Sequence, residues 1–375
     1  MSDKLKIISV VGARPNFMKV APLHRAFAER SEYAEHMIVH TGQHYDVNMS
    51  DAFFQDLEMP QPEYFLGVGS GSHASQTAKI MMEFEKICQE VQPDFLIVVG
   101  DVNSTVACVL TAIKMGVKTA HVEAGLRSFD REMPEEINRM ATDAICDYHF
   151  VTEQSAIRHL AHEGIDAKRI YFVGNTMIDS QIYALSKAMN SDILNKMELK
   201  KKKYALVTIH RPSNVDDLEQ IKGILSIFEE LSQKREIVFP MHPRTRKNLS
   251  NFGLDDRINS IEGLKITEPK GYIDFLALML NCDFVLTDSG GIQEETTALG
   301  IPCITARTTT ERPSTTEIGT NVLIEPVPEK ISYAVNQMLD GERKRGRVPE
   351  LWDGKAGERI ADIIIHDIFK IDKNI

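Results

Sequence analysis

The stretch Phe284-Val285-Leu286-Thr287-Asp288-Ser289-Gly290-Gly291 sets the fold class. Four apolar or β-branched residues end abruptly at an acid, a hydroxyl and two glycines, and a helical pattern begins near Ile292. An apolar run with no polar alternation is the mark of a strand buried on both faces, as in a parallel sheet with helices on either side. Similar runs recur along the chain. Strands are expected at Leu5–Val11, His36–Thr41, Phe95–Gly100, Thr119–Glu123, His149–Thr152 and Ile170–Val173, with helices at Phe17–Arg30, Ser75–Val91, Ser104–Met115 and Glu135–Cys146. After a polar segment at Asn190–Lys203, read as a solvated linker, strands restart at Tyr204–Ile209, Glu236–Met241, Phe284–Thr287 and Pro302–Ala306. Two successive doubly wound units imply an α/β protein of two Rossmann-like domains facing across a cleft. The expected domains are 1–178 and 179–356, with a last helix at Gly357–Phe369 packing Ile360, Ile364 and Ile368 back on the first.

Composition narrows the function classes. A net charge of −11 disfavours a nucleic-acid partner, whose footprint needs a basic face. The five cysteines are widely spaced and set in apolar runs, so they read as reduced core thiols. Met1-Ser2-Asp3-Lys4 leads straight into a strand without a signal-peptide pattern, and no apolar run reaches membrane-spanning length. The expected compartment is the cytoplasm, with no membrane partner.

In open parallel sheets ligands bind beyond the carboxyl ends of the strands. The residues there are rich in chemistry. Ser289, Gly290 and Gly291 open a helix, where free amides and close backbone approach make either a diphosphate cradle or a plain helix cap. Glu295 is placed in the first turn of that helix, within reach of ribose hydroxyls. Gly12-Ala13-Arg14-Pro15 follows the first strand, and Arg14 and Lys19 are either phosphate contacts or surface cations. Asp101, Glu123 and Glu135 stand at three strand or helix ends with Arg127 and Arg139 nearby, a grouping suited to general acid and base work. His210-Arg211 and His242 follow two strands of the second unit, and His210 is either a catalytic or phosphate-binding imidazole or a structural one. A metal is disfavoured, since a strand end separates His40 from His44, and His159 and His162 lack a carboxylate or cysteine partner at ligand spacing. Both the dinucleotide fingerprint and the P-loop are missing.

These motifs, together with Thr41-Gly42-Gln43-His44, Pro134–Arg139 and Thr310-Glu311-Arg312-Pro313, occur in the order seen in non-hydrolysing UDP-N-acetylglucosamine 2-epimerases. The resemblance runs from about residue 5 to residue 325. It implies the glycosyltransferase-B fold, interconversion of UDP-N-acetylglucosamine and UDP-N-acetylmannosamine for surface polysaccharides, no cofactor or metal, and a homodimer. It places catalytic groups at Asp101, Glu123, Glu135, Arg139 and His210, and UDP contacts at Arg14, Ser289, Gly290 and Glu295. Arg312 falls near the phosphates and Phe275 against uracil. Some bacterial members bind a second, activating UDP-N-acetylglucosamine, and the matching positions are Gln43, His44, Glu136, Arg211 and His242. The chain departs from the family at Asn16, where Glu is commonest, and at Tyr45-Asp46, where Arg and Gln are found in better-studied members.

Overall fold

Phe95–Val99 reads Phe-Leu-Ile-Val-Val, and every one of its side chains is buried. A strand apolar on both faces must be covered on both faces, and that demand organises both halves of the chain. The computed structural model describes residues 4–43 and 56–372, without the side chain of Arg14. Its contacts divide it into one unit of Met1–Tyr183 with Glu350–Ile375 and another of Ala184–Pro349.

In the first unit the strands are β1 (Leu5–Val11), β2 (Ala34–His40), β3 (Tyr64–Phe65), β4 (Phe95–Val99), β5 (Lys118–Val122), β6 (Tyr148–Val151) and β7 (Ile170–Phe172). They form one parallel sheet in the order β3-β2-β1-β4-β5-β6-β7. The second unit carries β8 (Tyr204–Thr208), β9 (Glu236–Pro240), β10 (Leu264–Thr267), β11 (Phe284–Thr287), β12 (Cys303–Ala306) and β13 (Asn321–Ile324). Its parallel order is β10-β9-β8-β11-β12-β13. In each sheet the winding direction reverses between two central strands, β1 and β4 or β8 and β11. A crevice opens at such a reversal, and ligands of doubly wound sheets bind there.

Three strands were not expected from the sequence: β3, β10 and β13. All lie toward the sheet edges and are only half-buried, so their sequences lack the continuous apolar run of a central strand. The expected strand ends shift by a residue or two, for a visible reason at β4 and β5. Gly100 and Glu123, counted as strand residues, adopt left-handed φ of +67° and +74° and turn the chain out of the sheet.

Helix Arg14–Ala28 carries Pro22 in its interior. A proline has no N–H to give, so the carbonyl four residues back loses its donor. Here that carbonyl belongs to Met18, and the Ser180 hydroxyl donates to it at 2.6 Å. Helix Ala356–Asp362 approaches the same proline so closely that a Cβ on Gly357 would lie 2.8 Å from the Pro22 oxygen. Beyond Asp362 the expected α-helix widens into a π-helix, Ile363–Ile368. The altered spacing buries the neighbours Ile364 and Ile365 and leaves Ile368 half-buried. All five cysteines are free and buried, and burial pushes the Cys88 thiol up to about 12. Among the described residues no helix is long and apolar enough to cross a membrane.

Candidate functional site

In the first unit, the turn after β1 is built by Asn16. Its Oδ1 accepts from the amides of Gly12 and Ala13 at 3.0 and 2.9 Å, and its Nδ2 donates to Val99 O at 3.2 Å. One side chain thus ties the first residues after β1 to the end of β4. Gly12 has to be glycine, because a Cβ there would stand 2.2 Å from Ser104 Oγ.

Behind this turn Lys19 forms an ion pair with Glu123, both side chains under a tenth exposed. Lys19, expected to meet phosphate, is therefore spent on a carboxylate of its own unit. Asp101 pairs with Arg139, whose guanidinium also holds Glu136 at 2.7 Å. The Asn138 amide donates to Asp101 O at 2.9 Å, so two consecutive residues of helix Pro134–Ile145 fix the Asp101 turn. Glu135, in the first turn of that helix, is exposed.

Two expectations for this unit need correcting. Glu136, read as part of a second ligand pocket, is buried and fully engaged. Its oxygens accept from the Ser128 and Phe129 amides at 3.0 and 2.9 Å. Burial works to raise its pKa, but the Ser128 amide and Arg139 outweigh it and hold the carboxyl below its usual range. Arg127, read as facing the carboxylates, lies buried between Asp143, at 2.7 Å, and Glu163, at 2.6 Å. Gln43 also turns inward, accepting from Ser104 N and Oγ at 3.0 and 2.8 Å. His44 and the Arg14 side chain lie outside the described residues.

In the second unit, Asp288 organises the strand ends. It is fully buried, and its Oδ2 accepts from the amides of His210 and Arg211, each at 2.8 Å, and from Asn214 Nδ2 at 3.0 Å. Its Oδ1 lies 3.0 Å from His210 Nδ1. Burial favours the neutral acid, yet His210 and these amides prevail and hold the carboxyl below its ordinary value. The His210 ring is more than a third exposed and stands 5.1 Å, centroid to centroid, from the exposed His242 ring. Arg211 Nε donates to Asp288 O at 2.9 Å. The sequence reading gave Asp288 no role. The available signal was its position, an acid directly after a fully apolar central strand.

The helix expected near Ile292 begins at Gly290, one residue after the cap Ser289. Its first amides therefore open at the Ser289-Gly290-Gly291 turn, where an anion would be met by unpaired N–H groups and the positive end of the helix. Glu295 consequently falls in the second turn instead of the first, and it accepts the Tyr272 hydroxyl at 2.8 Å. Arg312, expected near phosphate, is buried between Glu294, at 2.8 Å, and Glu311, which also holds Arg307 at 2.9 Å. A Cβ on Gly290 would lie 2.8 Å from Arg312 NH1, so this ionic cluster forms the floor beneath the turn. Phe275 is half-buried on helix Tyr272–Asn281. No group of His, Cys, Asp and Glu able to hold a metal ion occurs among the described residues.

Comparison with known proteins gives this arrangement its relatives. The family model described as UDP-N-acetylglucosamine 2-epimerase matches residues 26–365. The UDP-N-acetylglucosamine 2-epimerase of Methanocaldococcus jannaschii is 43% identical over 368 residues, covering 96% of this chain and 99% of that one. A crystal structure of the M. jannaschii enzyme in complex with UDP-GlcNAc and UDP superposes with a TM-score of 0.87 at 41% identity, over 96% of this chain and 99% of that one. The UDP-2,3-diacetamido-2,3-dideoxy-D-glucuronate 2-epimerase of Pseudomonas aeruginosa is 36% identical over 369 residues, covering 96% and 99%. With a family model spanning most of its length and relatives matched from end to end, the chain belongs to the UDP-N-acetylglucosamine 2-epimerase family.

Proposed function

We propose that this protein interconverts UDP-N-acetylglucosamine and UDP-N-acetylmannosamine. The observation that carries the reading is the end-to-end match to the M. jannaschii epimerase, with carboxylates at the strand ends of one unit and an amide turn at those of the other.

The chemistry follows from the substrate. The hydrogen on C2 has no adjacent carbonyl, so its removal alone would leave an unstabilised carbanion. If the C1–O bond to UDP breaks as the C2 proton leaves, the electron pair forms a C1=C2 double bond and UDP carries off the charge. UDP then re-adds at C1 while a proton reaches C2 from the opposite face. Asp101, Glu123 and Glu135 are the groups we assign to these proton transfers, with Arg139 setting the orientation of Asp101. The amides at Ser289, Gly290 and Gly291, together with His210 and Arg14, are assigned to the departing diphosphate. Arg312 supports that turn from beneath, Glu295 is assigned to the ribose and Phe275 to the uracil face. We further infer a cytoplasmic homodimer that supplies precursors for surface polysaccharide. This rests on the family resemblance, and sedimentation of the purified protein as a monomer would overturn the dimer.

The P. aeruginosa relative supports a second reading, a related UDP-2,3-diacetamido uronate as substrate. Proton NMR of both candidate substrates in D₂O separates the two. The expected result is the manno epimer of UDP-N-acetylglucosamine with deuterium at C2. Asp101→Asn should cut that exchange by more than about a hundredfold with UDP affinity retained. Turnover of the uronate alone would replace the first reading with the second.

A further inference from the structure

Strand β5 reads Lys-Thr-Ala-His-Val, and His121 is wholly buried in its centre. A buried imidazole needs a partner for each ring nitrogen, and the partners reveal where its protons are. Nε2 lies 2.8 Å from Gly100 O, and Nδ1 lies 2.6 Å from Asp143 Oδ1. A carbonyl oxygen can only accept. Asp143 is in turn surrounded by donors. Gly125 N–H donates to its Oδ2 at 3.0 Å, and Arg127 NH1 stands 2.7 Å from the same oxygen. Burial alone would raise the Asp143 pKa, but His121 and Arg127 outweigh it and bring it down to about 2. Asp143 is therefore a carboxylate, and it too can only accept. Two acceptors opposite two ring nitrogens leave no place for a lone pair.

We propose that His121 is a buried imidazolium and the positioning residue for the turns that carry Asp101 and Glu123. Through Nε2 it holds the carbonyl of Gly100, the residue before Asp101. Through Nδ1 it holds Asp143, which grips the amide of Gly125, two residues past Glu123. Gly100, Glu123 and Gly125 have φ of +67°, +74° and +75°, so the turns run through left-handed backbone that is free at the two glycines and strained at Glu123. The surrounding charges balance. His121 and Arg127 are positive, Asp143 and Glu163 negative, and His149, from β6, donates through Nε2 to Asp143 O at 2.7 Å. The protonation of His121 stands on these hydrogen bonds together with the ionised state of Asp143, while its positioning role rests on the epimerase reading above.

The test has a spectroscopic arm and a kinetic arm. In ¹⁵N-labelled wild-type protein at neutral pH, both His121 ring nitrogens should resonate as protonated. One protonated and one bare nitrogen would overturn the imidazolium. His121→Gln has one amide donor group, enough for Gly100 or Asp143 but not both. It should lower kcat by about 10- to 100-fold with KM changed by less than about twofold, because the carboxylates move while the UDP-binding residues of the other unit do not. A folded His121→Gln protein with wild-type kcat, or with the loss confined to KM, would overturn the positioning role. Should that variant not fold, the wild-type spectrum still decides. A wild type inactive on both UDP-sugars would overturn the functional reading and leave the spectrum to judge the protonation of His121.

Discussion

The strand ends of the two units prepare their chemistry in opposite ways. In the first, two of the carboxylates assigned above to proton transfer are side chains steadied by a cation from their own unit, Glu123 by Lys19 and Asp101 by Arg139. In the second, the acid at the equivalent place, Asp288, is turned inward to hold backbone amides and an imidazole, and the reactive surface is the backbone itself. Under the proposed function, the groups that exchange protons sit in ion pairs, and the groups that receive the diphosphate are amides resting on a buried ionic floor.

The contrast can be broken from the acid side first. His36 in the first unit is half-buried against His24, Ser9 and Phe27, and desolvation lowers its pKa from 6.5 to about 3. A histidine kept neutral in the fold stabilises it above the unfolded pKa, and that contribution is lost as pH falls from about 6.5 toward about 3. At full loss it amounts to about 4–5 kcal/mol. Asp179, raised by burial to about 6, opposes this in part, since its neutral form gains as pH falls. Trp352, the single tryptophan, lies buried in the first unit, so its fluorescence reports that unit alone. Urea midpoints followed by fluorescence should fall between neutral pH and pH of about 4, and His36→Gln should flatten the slope. An unchanged slope would remove His36 from the account.

Lys19→Met attacks the carboxylate side directly. It removes the buried cation paired with Glu123 and should cost about 2–4 kcal/mol, with loss of deuterium exchange at C2 and little change in UDP affinity. Calorimetric UDP titration separates this from a direct phosphate contact, which would weaken UDP binding in proportion. Gly290→Ala attacks the other side. Its Cβ would press on Arg312 and Glu311, and we expect a loss of about 1–3 kcal/mol together with weakened UDP binding. If UDP affinity survived that change, the turn would not be the diphosphate site.

Much of this plan can be read from the sequence, because central parallel strands announce themselves as apolar runs and whatever follows them is displayed at the sheet end. What the sequence conceals is the direction a charged side chain takes. Arg127, Arg312 and Glu136 stand in the right places for ligand contacts, yet each turns toward a partner inside its own unit. For Arg127 that partner is Glu163, 36 residues away, and no local spacing reveals such a pairing. His121 left a faint trace, since a polar residue among the buried positions of a central strand has to have partners. The edge strands β3, β10 and β13 left almost none.

Glu123 carries one more implication. Its left-handed backbone, φ +74°, suits glycine or asparagine better than a long acidic side chain, by about 1–2 kcal/mol for an ordinary L-residue. Under drift alone, that preference would steadily favour replacement by a smaller residue, with a gain in stability. A glutamate there presents its carboxylate at a conformational cost that glycine would not incur, so Glu123→Gly should make the fold more stable wherever the carboxylate itself is not needed.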